Sequence, residues 1–276
     1  MLEEYLSEKQ KKKRDRRRRL WWSLAGILFF GIAVFAVWIV DGSPIFRVDH
    51  FDVNGNQAVA SDDVVALLQA SAARNRTLWS SILGANNMLT WPKALATSDV
   101  AFIPQLSSVT LVKNYGRHTI TANVAERVPL AIWCEMPPTD ADGNPSGDEP
   151  CFWFDDTGTL FEKAFDTQGS ELYAVHDYAQ TGLGIGGKML PDLFNANLIS
   201  ILNAVKESGL TVKEIALHDL SLEEIDVSTY NGPSLYFSLR FDASEDIAVL
   251  KELMGQSNFD SLQYIDFRTE NRAYYK

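Results

Sequence analysis

Residues Trp21 to Val40, WWSLAGILFFGIAVFAVWIV, form a run of twenty residues with no charge. No other feature constrains the chain so strongly. At about 1.5 Å of rise per residue the run reaches roughly 30 Å, the thickness of a bilayer's hydrocarbon core. Trp21 and Trp22 stand at one end and Trp38 near the other, where indole rings favour the membrane–water interface. A cleaved signal peptide has a shorter apolar core and a small-residue exit, whereas this run leaves through DGSPIF. We therefore expect an uncleaved transmembrane helix over 21–40.

Charge distribution sets its direction. The chain of 276 residues carries a net charge of −11. Residues 1–20 hold nine Lys/Arg against four acids, leaving 16 basic and 32 acidic residues, a net of −16, for the rest. The positive-inside rule places tail 1–20 in the cytoplasm and residues 41–276 outside it, a single-pass type II arrangement. KKKRDRRRR also has the composition of a nucleic-acid patch. Its position against the span makes a topological role sufficient, and the acidic body would repel a duplex, so no nucleic-acid partner is expected.

Beyond the anchor the chain is long enough for two modest domains. Phe46, Val48, Phe51 and Val53 predict a strand interrupted at Asp49–His50, closed by the turn dipeptide Asn54-Gly55. Ser61 is the expected N-cap of a helix striped by Val64, Val65, Leu67 and Leu68. A second helix is expected near Asn86–Thr97, with Pro92 kinking or restarting it. SSVTLVKNYGRHTITANV predicts a hairpin turning at Asn114 to Arg117. Further strands are expected at 130–135, 151–155, 172–176, 211–217 and 234–241. In the last of these Leu235, Phe237, Leu239 and Phe241 alternate with Tyr236, Ser238 and Arg240. Helices are expected at 191–208 and at 244–254, the latter capped by Ser244 and stopped by Gly255. The fold class is α+β, with a mainly antiparallel sheet in the second domain.

Cys134 and Cys151 flank a Pro/Gly/Asp-rich loop, 135–150. If IWC and CFW pair as a hairpin, the two cysteines face each other, and an oxidising compartment permits a disulfide. We expect that disulfide, the alternative being two buried thiols. GLGIGGKM, Gly182 to Met189, mimics a phosphate loop, but Met189 replaces the Ser or Thr that would hold magnesium. DADGNPSGDE lacks the glycine placement and closing Glu of a calcium loop. His50, His118, His176 and His218 share no ligand spacing, and no G-x-S-x-G nucleophile elbow occurs. We expect no cofactor, no metal, no small-molecule substrate and no catalysis.

A set of motifs, in order behind the anchor, carries a family resemblance. FRVDHFDVNGN followed by the Ser61 helix resembles the opening of a POTRA domain, placed at 41–126. Glu126, Arg127, Pro129, Ala131 and Trp133 match the E-R-x-P-x-A-x-W signature of the FtsQ/DivIB cell-division proteins. Asp155, Asp156, Gly158 and Phe161 match its D-x-x-G-x-x-F stretch, within a β-rich domain placed at 127–276. Tyr264, Ile265, Asp266 and Arg268 match its closing strand, with Phe267 where leucine is usual. The loop between the cysteines departs from the pattern. The resemblance implies a scaffold of the division septum that binds small single-span proteins, FtsB-like and FtsL-like, by strand addition, and works alongside other divisome membrane proteins. The implied partner edge lies at and after the closing strand, and its contact residues would be Tyr264, Arg268, Thr269, Asn271, Arg272, Tyr274 and Tyr275. A membrane-anchored wall enzyme and an envelope chaperone or adaptor are the rival readings. Each tyrosine could equally pack on its own sheet.

Overall fold

The structure is a computed structural model that describes residues 2–137, 147, 149–164 and 173–276. Most of the acidic loop 135–150 lies outside the described residues. The opening helix α1 runs from Leu2 to Gly42. Its part Leu20–Gly42 is long and apolar enough to cross a membrane, consistent with membrane anchoring, and none of it is buried within the protein.

The chain divides into two compact units that interleave in sequence: Met1–Asn56, Ala60–Ala96 and Val109–Val124 in one, Gln57–Val59, Thr97–Ser108 and Ala125–Lys276 in the other. The three-stranded sheet lies mainly in the first: β1 (His50–Asn54) pairs in parallel with β3 (Thr119–Glu126), which lies between β1 and β2 (Leu106–Asn114). The helix α2 (Ser61–Arg74) packs on β1. Its stripe Val64, Leu67 and Leu68 is buried, as are Ile120 and Ala122 of β3. Burying each large aliphatic contributes about 1.5–3 kcal/mol.

Local chemistry moves three expected boundaries. Pro44 starts a 3-10 turn over Pro44–Phe46, so the strand begins only at His50. Ala60 occupies the N-cap of α2, and Ser61 is its first residue, its hydroxyl accepting from Asn56 Nδ2 at 3.2 Å. The second helix lies earlier than expected, as α3 (Leu78–Leu83), while Asn87 caps a 3-10 turn at Met88–Thr90. A short α4 (Thr97–Val100) precedes β2.

The second unit is built on a nine-stranded mixed sheet. Its strands are β4 (Ala131–Glu135), β5 (Cys151–Phe154), β6 (Leu160–Ala164), β7 (Ala174–Asp177), β8 (Val212–Leu217), β9 (Glu224–Thr229), β10 (Ser234–Ser238), β11 (Tyr264–Thr269) and β12 (Arg272–Tyr275). Their order is β12-β11-β10-β9-β8-β7-β4-β5-β6. Five neighbouring pairs are antiparallel, and β4–β7, β7–β8 and β10–β11 are parallel. Parallel neighbours need long crossovers. The helices α5 (Asp192–Ser208) and α6 (Asp246–Met254) supply two of them and pack on each other. Gly209, at φ +73°, ends α5 in the left-handed conformation that glycine adopts without strain. α6 starts two residues beyond Ser244, whose N–H donates to Asp242 Oδ1.

One core joins both helices to one face of this sheet: Leu198, Ile201 and Val205 meet Trp133, Phe154, Ile215, Val227, Phe237 and Ile265. Phe237 stacks on Phe267 at 5.2 Å. On the opposite face Ile132, Cys134 and Cys151 form a small second cluster with Trp153 against it. That is why every residue of β4 is buried. Cys134 and Cys151 are direct cross-strand partners and are joined by a disulfide.

Candidate partner-binding edge

β12 is the outermost strand at one margin of the nine-stranded sheet. Its position follows from the turn before it. Asn271 takes φ +58°, a conformation that asparagine tolerates better than most side chains. Thr269 pairs with Arg272 across a two-residue loop, and the register shifts between Asp266 and Thr269. At that irregularity the Asp266 carboxylate accepts the Arg268 N–H at 2.9 Å, replacing a ladder bond.

Beyond the shift, Ile265 faces Tyr275 and Asp266 faces Tyr274. Lys276 accepts from the Gln263 N–H and donates to the Tyr264 carbonyl. Backbone direction alternates along a strand, so Tyr275 turns its N–H and C=O away from β11. Among the described residues no strand lies beyond β12, so this outward row is what a further strand would meet.

Register also sorts the tyrosines. Tyr274 shares a face with Asp266, Tyr236 and Asp226, across four strands. On that open face Tyr264 lies 6.1 Å from Tyr236. Tyr275 shares the face of the buried Ile265 and lies on the helix side, half exposed. There a groove runs between α6 and the hairpin, lined by Asp242, Asp246, Val249, Glu270, Arg272 and Ala273. Burial, then the charges of Asp242 and Glu245, push the Asp246 carboxyl up to about 6. A strand added along β12 would therefore present alternate side chains to an aromatic ledge and to an acidic groove.

The residues expected at this edge are not equally available. Arg268 is engaged within its own sheet: it bonds Asp266 at 2.6 Å and Glu224 at 2.8 Å, and its guanidinium lies 5.1 Å above the Tyr236 ring. Those bonds hold it charged and hold Asp266 below the usual carboxylate range. Tyr264 is half-buried, whereas Thr269, Asn271, Arg272, Tyr274 and Tyr275 are exposed. The Arg272 guanidinium reaches the Tyr274 hydroxyl at 3.4 Å. Tyr236, which the sequence showed only as an outward strand residue, is the platform beneath Arg268.

The other motif residues build the scaffold. Glu126 accepts N–H bonds from Gln57, Ala58 and Val59 at 2.8–3.1 Å, and these hold its carboxyl low against the opposing effect of desolvation. Arg127 forms a largely buried ion pair with Asp155 and donates to the Pro104 carbonyl. Asp155 also accepts from the Thr157 and Thr159 N–H groups, closing a turn around Gly158. Gly158 has φ +72°, and a Cβ there would meet Asn195 Oδ1 at 2.3 Å. Burial alone would raise the Asp155 carboxyl; the hydroxyl, amide and guanidinium donors outweigh it and hold it low.

The glycine-rich segment 182–189 spends its amides internally: Gly186 donates to Leu160, Gly187 to Gly184 and Met189 to Gly158. The histidines are scattered. His118 sits at the β2–β3 turn with φ +54°, His176 faces Glu214 at 3.6 Å and His218 stacks on Tyr178 at 5.0 Å. Among the described residues no three His, Cys, Asp or Glu side chains gather as metal ligands. No family model and no curated protein matches the chain.

Proposed function

We propose that the protein is a membrane-anchored scaffold of the FtsQ/DivIB kind, acting outside the cytoplasm at the bacterial division septum. It works by binding and not by catalysis. Its partners in this reading are small single-span division proteins, FtsB-like and FtsL-like, one of which adds a strand at β12. The observation that carries the reading is the edge itself. A short, exposed strand with outward backbone groups lies between an aromatic ledge and a groove, which is the geometry of β-strand addition. The apolar helix ahead of it supports anchoring, with residues 1–20 cytoplasmic and residues from Asp41 outside.

Depletion in the native host tests this. Filamentous cells with unconstricted division sites are the expected phenotype. Cells of normal length with envelope-protein defects would contradict it and favour an export adaptor.

A further inference from the structure

We propose that α3 docks on the lipid surface beside the anchor, sinking Leu78, Trp79 and Ile82 into the headgroup region of the same membrane. The inference rests on reading α1 as membrane-spanning.

Leu78, Trp79 and Ile82 are 83%, 62% and 54% exposed. Single exposed apolar residues are ordinary; three on a six-residue helix are not. Their i, i+1, i+4 spacing places them on one side. A helix this short does not hold itself in water. This one is fixed by a capping box, in which the Thr77 N–H donates to Ser80 Oγ at 2.7 Å and the Ser80 N–H to Thr77 Oγ1 at 3.1 Å. It is thus built to present that side.

What lies next to it identifies the occupant. α3 packs on α1, and Thr77, Trp79, Leu83 and Leu89 line a cleft completed by Val37 and Val40. Within Leu20–Val40, Val37 and Val40 alone are partly covered. They belong to the last turn of the uncharged run, which ends at Asp41. Val37 lies about 6 Å inward of Asp41 along the helix. That depth is within the ~5–10 Å zone where amphipathic elements settle at the boundary of headgroups and acyl chains. Trp38 occupies the same depth, and a second indole there, Trp79, extends the aromatic belt. The segment is tethered at this level: Asn87 Nδ2 donates to the Val40 carbonyl at 3.5 Å and the Val48 N–H to Asn86 at 2.8 Å. Exposed Arg76 precedes the cap and suits anionic phosphate groups.

The test uses the full chain, labelled with fluorotryptophan, in nanodiscs of phosphatidylcholine and phosphatidylglycerol doped with a lipid carrying a nitroxide near its headgroup. Trp79→Phe assigns the Trp79 fluorine signal. Trp38 reports the anchor, and the fully buried Trp133 reports an intact second unit. The expected result is that Trp38 and Trp79 both lose most of their intensity while Trp133 keeps its own. If Trp38 is broadened and Trp79 stays sharp, the docking of α3 is overturned and the anchor stands. If both stay sharp, the anchor reading fails, and this inference with it.

Discussion

Arg268 on β11 reaches across β10 to Glu224 on β9, with Nη1 and Oε2 2.8 Å apart. Tyr236 on β10 lies beneath the guanidinium. The contact clamps three strands behind the candidate edge, so Arg268 acts as a positioning residue. Arg268→Ala should cost about 1–2 kcal/mol, the sum expected of two partly exposed ion pairs and a cation–π contact. Urea unfolding checks the cost. Arg272→Ala, in contrast, should leave the unfolding midpoint unchanged.

Arg127 is largely covered and Asp155 is buried, and removing one partner strands the other's charge. Arg127→Met should cost about 3 kcal/mol, the low end for breaking a buried pair. The pH dependence has a definite sign. Asp155 has a depressed folded pKa, so its contribution is complete above the unfolded value near 4 and is lost as pH falls through the folded value. Asp155→Asn should flatten the acid limb of a stability–pH curve, measured by urea midpoints from neutral pH down to about 3.

Asp246 has the opposite sign. Its folded pKa is raised to about 6, so its charge weakens the fold above that pH, and the penalty fades as pH falls toward the unfolded value near 4. Asp246→Asn should therefore stabilise at neutral pH, on the order of 1 kcal/mol after solvent screening, and be neutral near pH 4. Unfolding midpoints at the two pH values check it.

The disulfide joins cysteines 17 positions apart at the mouth of the β4–β5 hairpin. Replacing both cysteines with alanine should cost about 3 kcal/mol by the chain-entropy argument. A lowered Tm, matched by adding reductant to the native chain, is the expected readout.

What could be read in the sequence was local. The β2–β3 hairpin has its turn residues between two alternating runs, and α5 has a full apolar stripe ended by Ser208-Gly209. The cysteine pair was readable because β4 and β5 are sequence neighbours. A short helix carries less of this local signal. Thr77 and Ser80 form the capping box of α3, but six residues carry too little periodicity to outweigh the apolar residues after Asn86. β12 was visible only as a margin beside a closing strand, since a four-residue strand is defined by its ladder and not by its pattern. The sheet order is nonlocal as well. Nothing near Arg268 announces Glu224, 44 positions away, so its availability to a partner could not be judged from its type.

Strand addition at β12 is tested most directly by capture of small single-span coiled-coil proteins of the native host on the detergent-solubilised full chain. Tyr275→Pro removes an N–H that points away from β11, which an edge strand tolerates, so the existing ladder should survive. Tyr275→Ala removes the ring and keeps the N–H. Capture should be lost in Tyr275→Pro and only weakened in Tyr275→Ala, with both variants showing the native circular dichroism spectrum. Undiminished capture by folded Tyr275→Pro would contradict strand addition at this edge.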